Sequence, residues 1–466
     1  MPLPMSWQTG VSCGNAPIQL RARMQSHIRT AVDEIGFRYL RFHGLLSDDM
    51  RIVKRNREGV IRYNWQLVDE LFDFMLDAGV RPFVELGFMP GALASGDQTL
   101  FTWKCNVTLP RRVDEWTAFI EALLSHWVGR YGIDEVREWY FEVWNEPNLP
   151  NFFAGTQKDY FEFYDATARA VKRVDGKLRP GGPSSARGCW IEEFLDFCRK
   201  NNAPVDFVST HVYADDDQFF TVDAGFQSNY LGPNYVADVV KHVYDTVQGS
   251  AYKGVPLFWT EWNSSWHPRS PWHDSVNQAA FILRTVHKVA PYVDGFSYWV
   301  LSDVYEEGFY PSAEFTSLYG LMSIHGLRKP SYFAYYCLAI LGEGAEELDI
   351  DGLDDNLNGW MKERNGATDV LLYYYRDWSE TASLPARALR VPLGNAARAD
   401  VYRIDEAHHN IIAEWKAMGS PPNPTREQVR ELHDKNAFVP SSTEEIKDDS
   451  LEITLEPGTV ALVRAK

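Results

Sequence analysis

The sequence predicts an α/β protein in which a (β/α)8 TIM barrel is followed by a smaller C-terminal β-sandwich. Strand-like and helix-like segments alternate regularly up to about residue 342, and eight such pairs are what this barrel requires. Beyond that point the pattern changes to short strands separated by turn signals. We therefore assign residues 1–342 to the barrel and residues 343–466 to an accessory domain, to which the extreme N-terminus is a candidate addition.

Eight short strand-like segments, alternating with helical patterns, predict the strands of the barrel. An apolar run of five or six residues bounded by polar or turn residues is typical of a buried strand. The predicted strands are residues 7–11, 39–43, 82–87, 139–144, 178–182, 207–212, 257–262 and 296–301.

The segments between these strands predict the helices of the barrel. Each shows apolar residues at three- and four-residue spacing, which places them on one helix face. Gly36 and Gly79 follow two of these segments and suit the left-handed position that ends a helix. The predicted helices are residues 19–35, 65–78, 113–131, 160–174, 190–201, 235–248, 276–289 and 332–341.

The C-terminal segment predicts a sandwich of short strands with one helical excursion. The helix is expected at residues 425–433, directly after the proline-rich segment SPPNP at 420–424. The predicted strands are residues 359–364, 370–376, 389–392, 399–404, 411–415, 451–455 and 460–464.

The composition excludes several classes of protein. A formal charge of −18 argues against nucleic-acid partners and anionic membrane surfaces, because both require a basic face. We find no secretory signal at the N-terminus and no apolar run that approaches a membrane span. The cysteines are odd in number and lack metal-ligand spacing, so we expect reduced core thiols in a cytoplasmic protein with neither metal nor organic cofactor. They are Cys13, Cys105, Cys189, Cys198 and Cys337.

Two glutamates stand at the ends of predicted strands, each beside tryptophan. Glu146 belongs to the motif WNEPN (144–148) after strand four, and Glu261 to WTEWN (259–263) at the end of strand seven. The C-terminal ends of barrel strands form one mouth, so the two carboxylates are expected to meet there. Such a pair is typical of enzymes that cleave glycosidic bonds. The alternative is that each glutamate caps a strand or pairs with an arginine.

These motifs, taken together, resemble those of glycoside hydrolase family 39, and within it the bacterial β-xylosidases. The resemblance covers most of the barrel. The Asn-Glu-Pro motif alone is shared by many retaining barrel hydrolases, whereas the full set is much more specific. It comprises RFHG (41–44), FEVWNEPN (141–148), THVY (210–213), WTEW (259–262), and YW (298–299) followed by EE (306–307).

The resemblance implies a role for each matching residue. Glu146 would be the acid/base and Glu261 the nucleophile of a retaining reaction, with the charge of Glu261 raising the pKa of Glu146. Asn145 would bind the sugar 2-hydroxyl, and Tyr213 would donate a hydrogen bond to Glu261. The remaining residues would line the sugar site, with Trp299 as its floor and two glutamates as hydroxyl acceptors: His43, His211, Trp299, Glu306 and Glu307.

The resemblance points to a neutral sugar, β-D-xylose at the non-reducing end of small xylo-oligosaccharides, as the substrate. The acidic residues after strand eight (Asp303, Glu306 and Glu307) would repel the carboxylate of a uronic acid such as L-iduronate. Other retaining barrel activities remain as alternatives: an α-L-arabinosidase, an α-L-iduronidase-like enzyme or an endo-glycanase. A non-catalytic sugar-binding protein is the other class considered. We expect a monomer.

Overall fold

The protein, described by a computed structural model over residues 3–216, 230–364 and 366–466, contains a closed barrel of parallel strands. The eighth strand is split. Its first part pairs with β7 through Phe258 and Gly295, and its second part pairs with β1 through Val11 and Tyr298, which closes the cylinder. The barrel strands are β1 (Gly10–Asn15), β2 (Tyr39–His43), β3 (Arg81–Leu86), β4 (Tyr140–Val143), β5 (Arg179–Ser185), β6 (Phe207–Tyr213), β7 (Leu257–Asn263) and β8 (Gly295–Phe296 with Tyr298–Trp299).

A helix follows each strand, which confirms the predicted fold class. The observed helices begin and end within three residues of the predicted bounds. They are α1 (Ala22–Ile35), α2 (Gln66–Asp77), α3 (Val113–Tyr131), α4 (Gln157–Val174), α5 (Ile191–Asn201), α6 (Tyr235–Gly249), α7 (Asn277–Val289) and α8 (Pro330–Leu341). None of the helices among the described residues combines the length and the apolar character that a membrane span needs.

The first strand begins later than predicted. Residues 5–8 form a short 3-10 helix, and the strand starts only at Gly10. Trp7 is fully buried in that helix and packs near Tyr335 of α8. Its aromatic side chain therefore contributes to the core from below the barrel rather than from within β1.

The interior of the barrel is layered. Near the N-terminal ends of the strands, aromatic rings fill the cylinder and contact one another edge to face. Side chains two residues further along each strand point into the same interior and form the next layer toward the mouth. This layer contains charged groups. The aromatic layer comprises Tyr39, Phe83, Tyr140, Phe207 and Phe258, and the charged layer includes Arg41, Glu85 and Glu142.

The C-terminal segment forms two antiparallel sheets with an apolar core between them. Along Ala367–Tyr374 the side chains alternate. Val370 and Leu372 enter the core of the sandwich, whereas Leu371 and Tyr373 pack against the barrel. The strands are Glu346–Glu347, Leu357–Arg364, Ala367–Tyr374, Arg387–Pro392, Arg398–Ile404, Ser442–Glu445, Ser450–Leu455 and Thr459–Ala465. The division of the chain at residue 342 stays a prediction.

The predicted strand at residues 411–415 is wrong, because Ile411–Ala417 is a helix. The side chain of Asn410 accepts a hydrogen bond from the backbone N–H of Ala413 and so caps this helix. Ile411 and Ile412 are both buried, which a helix allows for adjacent residues at its packed end. The predicted helix near residue 425 is present as Arg426–Lys435.

This helical pair reaches back to the barrel and packs on the loop after β8. Ile411, Ile412 and Leu432 form one apolar cluster with Phe315 and Leu327 of that loop. The side chain of Asn436 also bonds both the N–H and the C=O of Arg328. We call residues 303–328 the strand-eight loop. The accessory domain therefore supports one wall of the barrel mouth.

Candidate active site

A cavity of about 470 Å³ opens at the C-terminal ends of the barrel strands. Both predicted glutamates line it, and a volume of this order is typical of a small-molecule site. Eight of the residues that line it carry aromatic rings. The rings come from His43, Phe101, Phe152, Tyr213, Trp266, Trp299, Tyr305 and Tyr319.

Glu146 is held by an irregular turn that follows β4. Trp144 and Glu146 both adopt positive φ angles, of 73° and 45°, which are strained for residues with a side chain. The backbone N–H of Glu146 donates to the C=O of Ser184 at 2.7 Å, and the indole N–H of Trp144 donates to the C=O of Phe152 at 2.9 Å. These bonds fix the turn and direct the carboxyl group into the cavity.

Glu261 is held on both of its oxygens. The Arg41 guanidinium donates to Oε1 at 2.8 Å, and the hydroxyl of Tyr213 donates to Oε2 at 2.7 Å. The predicted hydrogen bond from Tyr213 is therefore present. Two strong donors, one on each oxygen, fix the orientation of this buried carboxylate.

The two carboxyl groups lie close together. One oxygen of Glu146, one oxygen of Glu261 and a ring nitrogen of His211 are all within 4.8 Å of one another. In glycoside hydrolases, carboxyl groups about 5–5.5 Å apart go with retention of configuration, and about 6.5–9.5 Å with inversion. The spacing therefore favours retention.

Arg41 connects most of the charged groups beneath the cavity. Its guanidinium is fully buried and donates to Glu142 at 2.6 Å, to Glu261 at 2.8 Å and to Asn145 Oδ1 at 2.7 Å, and it also lies 3.1 Å from Glu85. A planar group with five N–H donors can satisfy several partners in fixed directions. Arg41 thus sets the positions of both Glu261 and Asn145.

Burial raises the pKa of Glu146 to about 7, although His43, Arg41 and Arg187 act to lower it. The predicted direction of the shift is confirmed, but its main cause is desolvation by the surrounding rings rather than repulsion from Glu261. At neutral pH a substantial fraction of Glu146 is therefore protonated and can donate a proton.

Both predicted histidines lie beside the glutamates. His43 Nδ1 is 2.7 Å from Glu85, and its Nε2 is 3.5 Å from Glu261. His211 Nδ1 is 2.9 Å from Glu146 Oε1. Burial lowers the pKa of each imidazole to about 4, so both rings are neutral near neutral pH.

Asn145, Trp299 and Glu307 face the cavity with groups that a sugar could use. The indole of Trp299 lies 4.8 Å from the ring of His43. Asn145 Nδ2 and Glu307 Oε1 are buried and make no hydrogen bond within the described part of the chain. The other oxygen of Glu307 accepts from the hydroxyl of Tyr305, and burial raises the pKa of this carboxyl group.

Glu306 does not face the cavity with its neighbour. Its two oxygens accept from the Arg21 guanidinium at 2.5 and 2.7 Å, in a partly exposed ion pair outside the cavity lining. Asp303 is likewise turned away, because its carboxylate contacts the buried ammonium group of Lys329 at 2.7 Å. Adjacent loop residues point in different directions, and the sequence did not show which one enters the site. The expected repulsion of a uronate by all three acidic residues is therefore wrong, since only Glu307 faces the cavity.

Several groups around the cavity were missed by the sequence-based prediction. Arg41 and Glu85 could have been predicted from the sequence. Each is a charged residue inside an apolar strand, two positions from another residue that faces the barrel interior. Arg187 and Asp216 also line the cavity. They follow β5 and β6 in irregular segments, where no pattern in the sequence marks them.

A (β/α)8 barrel with two buried carboxyl groups at the ends of β4 and β7, facing an aromatic cavity, defines the class of the barrel glycoside hydrolases. The family model of "Glycosyl hydrolases family 39" matches residues 1–445. The chain belongs to this family, and it is a glycoside hydrolase.

The relatives extend over nearly the whole chain. It is 39% identical to a β-xylosidase of Caldicellulosiruptor saccharolyticus, over 91% of this chain and 87% of that protein. It is 37% identical to a β-xylosidase of Geobacillus stearothermophilus, over 98% and 92% of the two chains. The crystal structure of a monomeric β-xylosidase from Caulobacter crescentus CB15 superposes with a TM-score of 0.90 at 34% identity, covering 100% of this chain and 97% of that one.

Replacing Arg41 by lysine should impair catalysis, even though the positive charge is kept. Lysine keeps the positive charge, but one ammonium group cannot reproduce the directions of donation to Glu142, Glu261 and Asn145. We expect kcat/KM on an aryl glycoside substrate to fall by about 10- to 100-fold, corresponding to about 1.4–2.7 kcal/mol.

Arg81→Lys is the matched control, because Arg81 also forms a bidentate pair with a carboxylate, Glu135, but at the exposed end of β3. It should change kcat/KM by less than about twofold. Equal losses in the two variants would show that Arg41 does not orient the catalytic groups.

Proposed function

We propose that the protein is a retaining exo-β-xylosidase that releases terminal non-reducing β-D-xylosyl residues from short xylo-oligosaccharides. The close spacing of Glu146 and Glu261 is the observation that carries the retaining mechanism. The β-xylosidase relatives support the choice of sugar. Glu146 is the acid/base and Glu261 the nucleophile.

In the first step an oxygen of Glu261 attacks the anomeric carbon of the bound sugar. The bond from that carbon to the leaving oxygen breaks, and the leaving oxygen takes the proton of Glu146. Glu261 suits this role because Arg41 and Tyr213 donate to its two oxygens and so fix its orientation toward the cavity. Glu146 suits its role because burial keeps it partly protonated at neutral pH.

In the second step a water molecule attacks the same carbon from the side that the leaving group has vacated. Glu146, now ionised, accepts a proton from the water, and the bond between the sugar and Glu261 breaks. Both carboxyl groups return to their starting states. Two displacements on one carbon give overall retention of configuration.

A closed pocket supports exo action. After β3, a hairpin formed by Thr99–Leu100 and Cys105–Asn106 projects over the mouth. At its tip the backbone N–H of Thr102 donates to the C=O of Glu307 at 2.8 Å, joining the hairpin to the strand-eight loop. A wall at this side favours a substrate that enters by one end.

The groups proposed to bind the sugar are those that face the cavity. Asn145 Nδ2 is available as a donor to the 2-hydroxyl, and Glu307 Oε1 is available as an acceptor for another ring hydroxyl. The face of Trp299 offers a stacking platform beside the ring of His43, whereas His211 lies outside the cavity lining and reaches the site through Glu146. Glu306 contributes indirectly at most, because its carboxylate is bound to Arg21.

An α-L-arabinosidase, an iduronidase-like activity and an endo-glycanase remain the alternatives. Arg187 is the one arginine or lysine among the described residues that line the cavity. It lies close enough to Asp216 and Glu146 to lower the pKa of both carboxyl groups. Initial rates on nitrophenyl β-xyloside, α-L-arabinoside and α-L-iduronide test the choice. The xylosidase proposal requires the β-xyloside to have the highest kcat/KM, and a faster iduronide would overturn it.

We propose further that the protein acts in the cytoplasm as a monomer. Its five cysteines are all unpaired and mostly buried, which suits a reducing compartment. The monomeric β-xylosidase from Caulobacter crescentus supports the assembly state. No metal is proposed, because an ion on the mutually close atoms of Glu146, His211 and Glu261 would occupy both carboxyl groups that the reaction uses.

Glu261→Ala should abolish turnover of every substrate, including those with good leaving groups, because no covalent intermediate can form. Azide should restore part of the activity by attacking the vacated face, and the product should be a glycosyl azide of inverted configuration. Product analysis by NMR checks the configuration. Near-normal activity without azide would show that Glu261 is not the nucleophile.

The basic limb of the profile of kcat/KM against pH should lie near pH 7, where the raised pKa of Glu146 places it. Activity should fall as pH rises through this value, because the ionised carboxylate has no proton to donate. Glu146→Gln should remove the limb and should slow poor leaving groups far more than activated phenols. Equal losses on both kinds of substrate would contradict the acid role.

Glu307→Gln should lower kcat/KM on xylosides by about tenfold or more, because a buried acceptor aimed at the sugar becomes an amide with different donors. Glu306→Gln is the matched control, since it changes the same group one residue away but disturbs only a partly exposed ion pair. Its effect should stay below about threefold. Equal effects would mean that Glu307 does not contact the sugar.

A further inference from the structure

A chain of four polar side chains crosses the barrel interior and ends at the acid/base. His211 Nδ1 is 2.9 Å from Glu146 Oε1, and His211 Nε2 is 3.0 Å from the hydroxyl of Thr260. The Thr260 hydroxyl is in turn 2.8 Å from Glu142 Oε1. Apart from Glu146 itself, every member of this chain is at most 1% exposed.

The direction of each hydrogen bond follows from the charge on Glu142, the side chain at the end opposite Glu146. Glu142 accepts from the Arg41 guanidinium on its other oxygen at 2.6 Å. Burial opposes ionisation of Glu142, but the groups around it, Arg41 foremost, together more than offset this, and the pKa of Glu142 lies below its usual range. An ionised carboxylate can only accept. The single hydrogen of the Thr260 hydroxyl is therefore donated to Glu142.

The remaining directions are then determined. With its hydrogen committed to Glu142, the Thr260 oxygen can only accept from His211, so the proton of the neutral imidazole sits on Nε2. Nδ1 then carries a lone pair that faces Glu146. A lone pair there forms a hydrogen bond only when Glu146 is protonated and donates.

The reverse pattern is excluded by the charge on Glu142. Donation from His211 Nδ1 to an ionised Glu146 would require Thr260 to donate to Nε2, and Glu142 to donate to Thr260. Glu142 would then have to be protonated beside Arg41, which is the state that the guanidinium disfavours.

We propose that Glu142 and Thr260 are positioning residues that fix the Nε2–H tautomer of His211, and that this tautomer keeps Glu146 protonated until it donates to the leaving group. The inference rests on the proposed acid/base role of Glu146 and adds a source for its protonation besides burial. In the second step the same lone pair favours the return of a proton from water to Glu146.

The effect on Glu146 has to be separated from that of its other neighbours. Titratable and charged groups face or act on it from β2, β3, the segment after β5, β6 and the segment that follows it, β7, and the strand-eight loop. They are His43, Arg41, Glu85, Arg187, His211, Tyr213, Asp216, Glu261, Glu307 and Tyr319. A variant at Thr260 acts on His211 and changes none of the other groups directly.

Thr260→Val removes the hydroxyl but keeps the shape of the side chain. The imidazole is then free to adopt the Nδ1–H tautomer and to donate to ionised Glu146. We expect the basic limb of kcat/KM, measured with a poor leaving group, to move down by about one pH unit. Thr260→Ser keeps the hydroxyl and should restore the parental limb.

Ser12→Ala is the matched control, because the buried Ser12 hydroxyl donates to the backbone C=O of the same Thr260 at 2.7 Å, outside the chain of side chains. It should leave the basic limb in place, even if the protein becomes less stable. A loss of packing alone would lower the stability of Ser12→Ala and Thr260→Val alike and would leave both limbs unmoved.

Nitrogen-15 spectra of histidine-labelled protein give a readout that needs no activity. The ring signals of His211, assigned by their loss in His211→Asn, should show Nε2 protonated and Nδ1 unprotonated in the parental protein, and the reverse in Thr260→Val. A parental Nδ1–H tautomer overturns the proposal, whether or not any variant folds. So does a Thr260→Val variant with an unmoved limb. Failure of the parental protein to hydrolyse xylosides would reject the proposed function and leave this tautomer test intact.

Discussion

The buried contact between Arg41 and its surrounding carboxylates is the interaction on which the rest of the site depends. One guanidinium, fully enclosed in the barrel, lies within hydrogen-bonding or ion-pair distance of Glu85, Glu142 and Glu261. Buried charges are tolerated only when they are paired and hydrogen-bonded, so each of these groups constrains the others. Glu261 is therefore oriented from below, by the interior of the barrel, before any substrate arrives.

The same interior gives the two chemically identical side chains of Glu146 and Glu261 different surroundings. Glu261 sits above the cation and receives two strong donors, whereas Glu146 sits at the end of an irregular turn, beside a neutral imidazole and aromatic rings. Desolvation outweighs the neighbours that lower the pKa of Glu146, and this pKa rises to about 7. The raised pKa of Glu146 comes from the environment of that side chain, and repulsion between the two glutamates is not needed to produce it.

The fold and the pair of glutamates in the cavity were predictable because they rest on strong local patterns. Apolar runs of fixed length gave the barrel, and Glu146 and Glu261 stand where its strands end. Loop directions had no such signal, so Glu306 and Glu307 could not be told apart. The isoleucines at 411 and 412 favoured a strand by their β-branched side chains, and only tertiary packing and the Asn410 cap made them helical.

The helical pair of the accessory domain that packs on the strand-eight loop limits how this protein can be recombined. Glu307 and the apolar anchors Phe315 and Leu327 belong to one continuous loop, and those anchors are covered by residues more than eighty positions further along the chain. A chimera that takes its barrel from one relative and its C-terminal segment from another would pair a loop with a foreign surface. Such a chimera is expected to fold correctly only if the strand-eight loop and the helical pair come from the same relative. The barrel and the accessory domain must therefore be exchanged together, although each has an apolar core of its own.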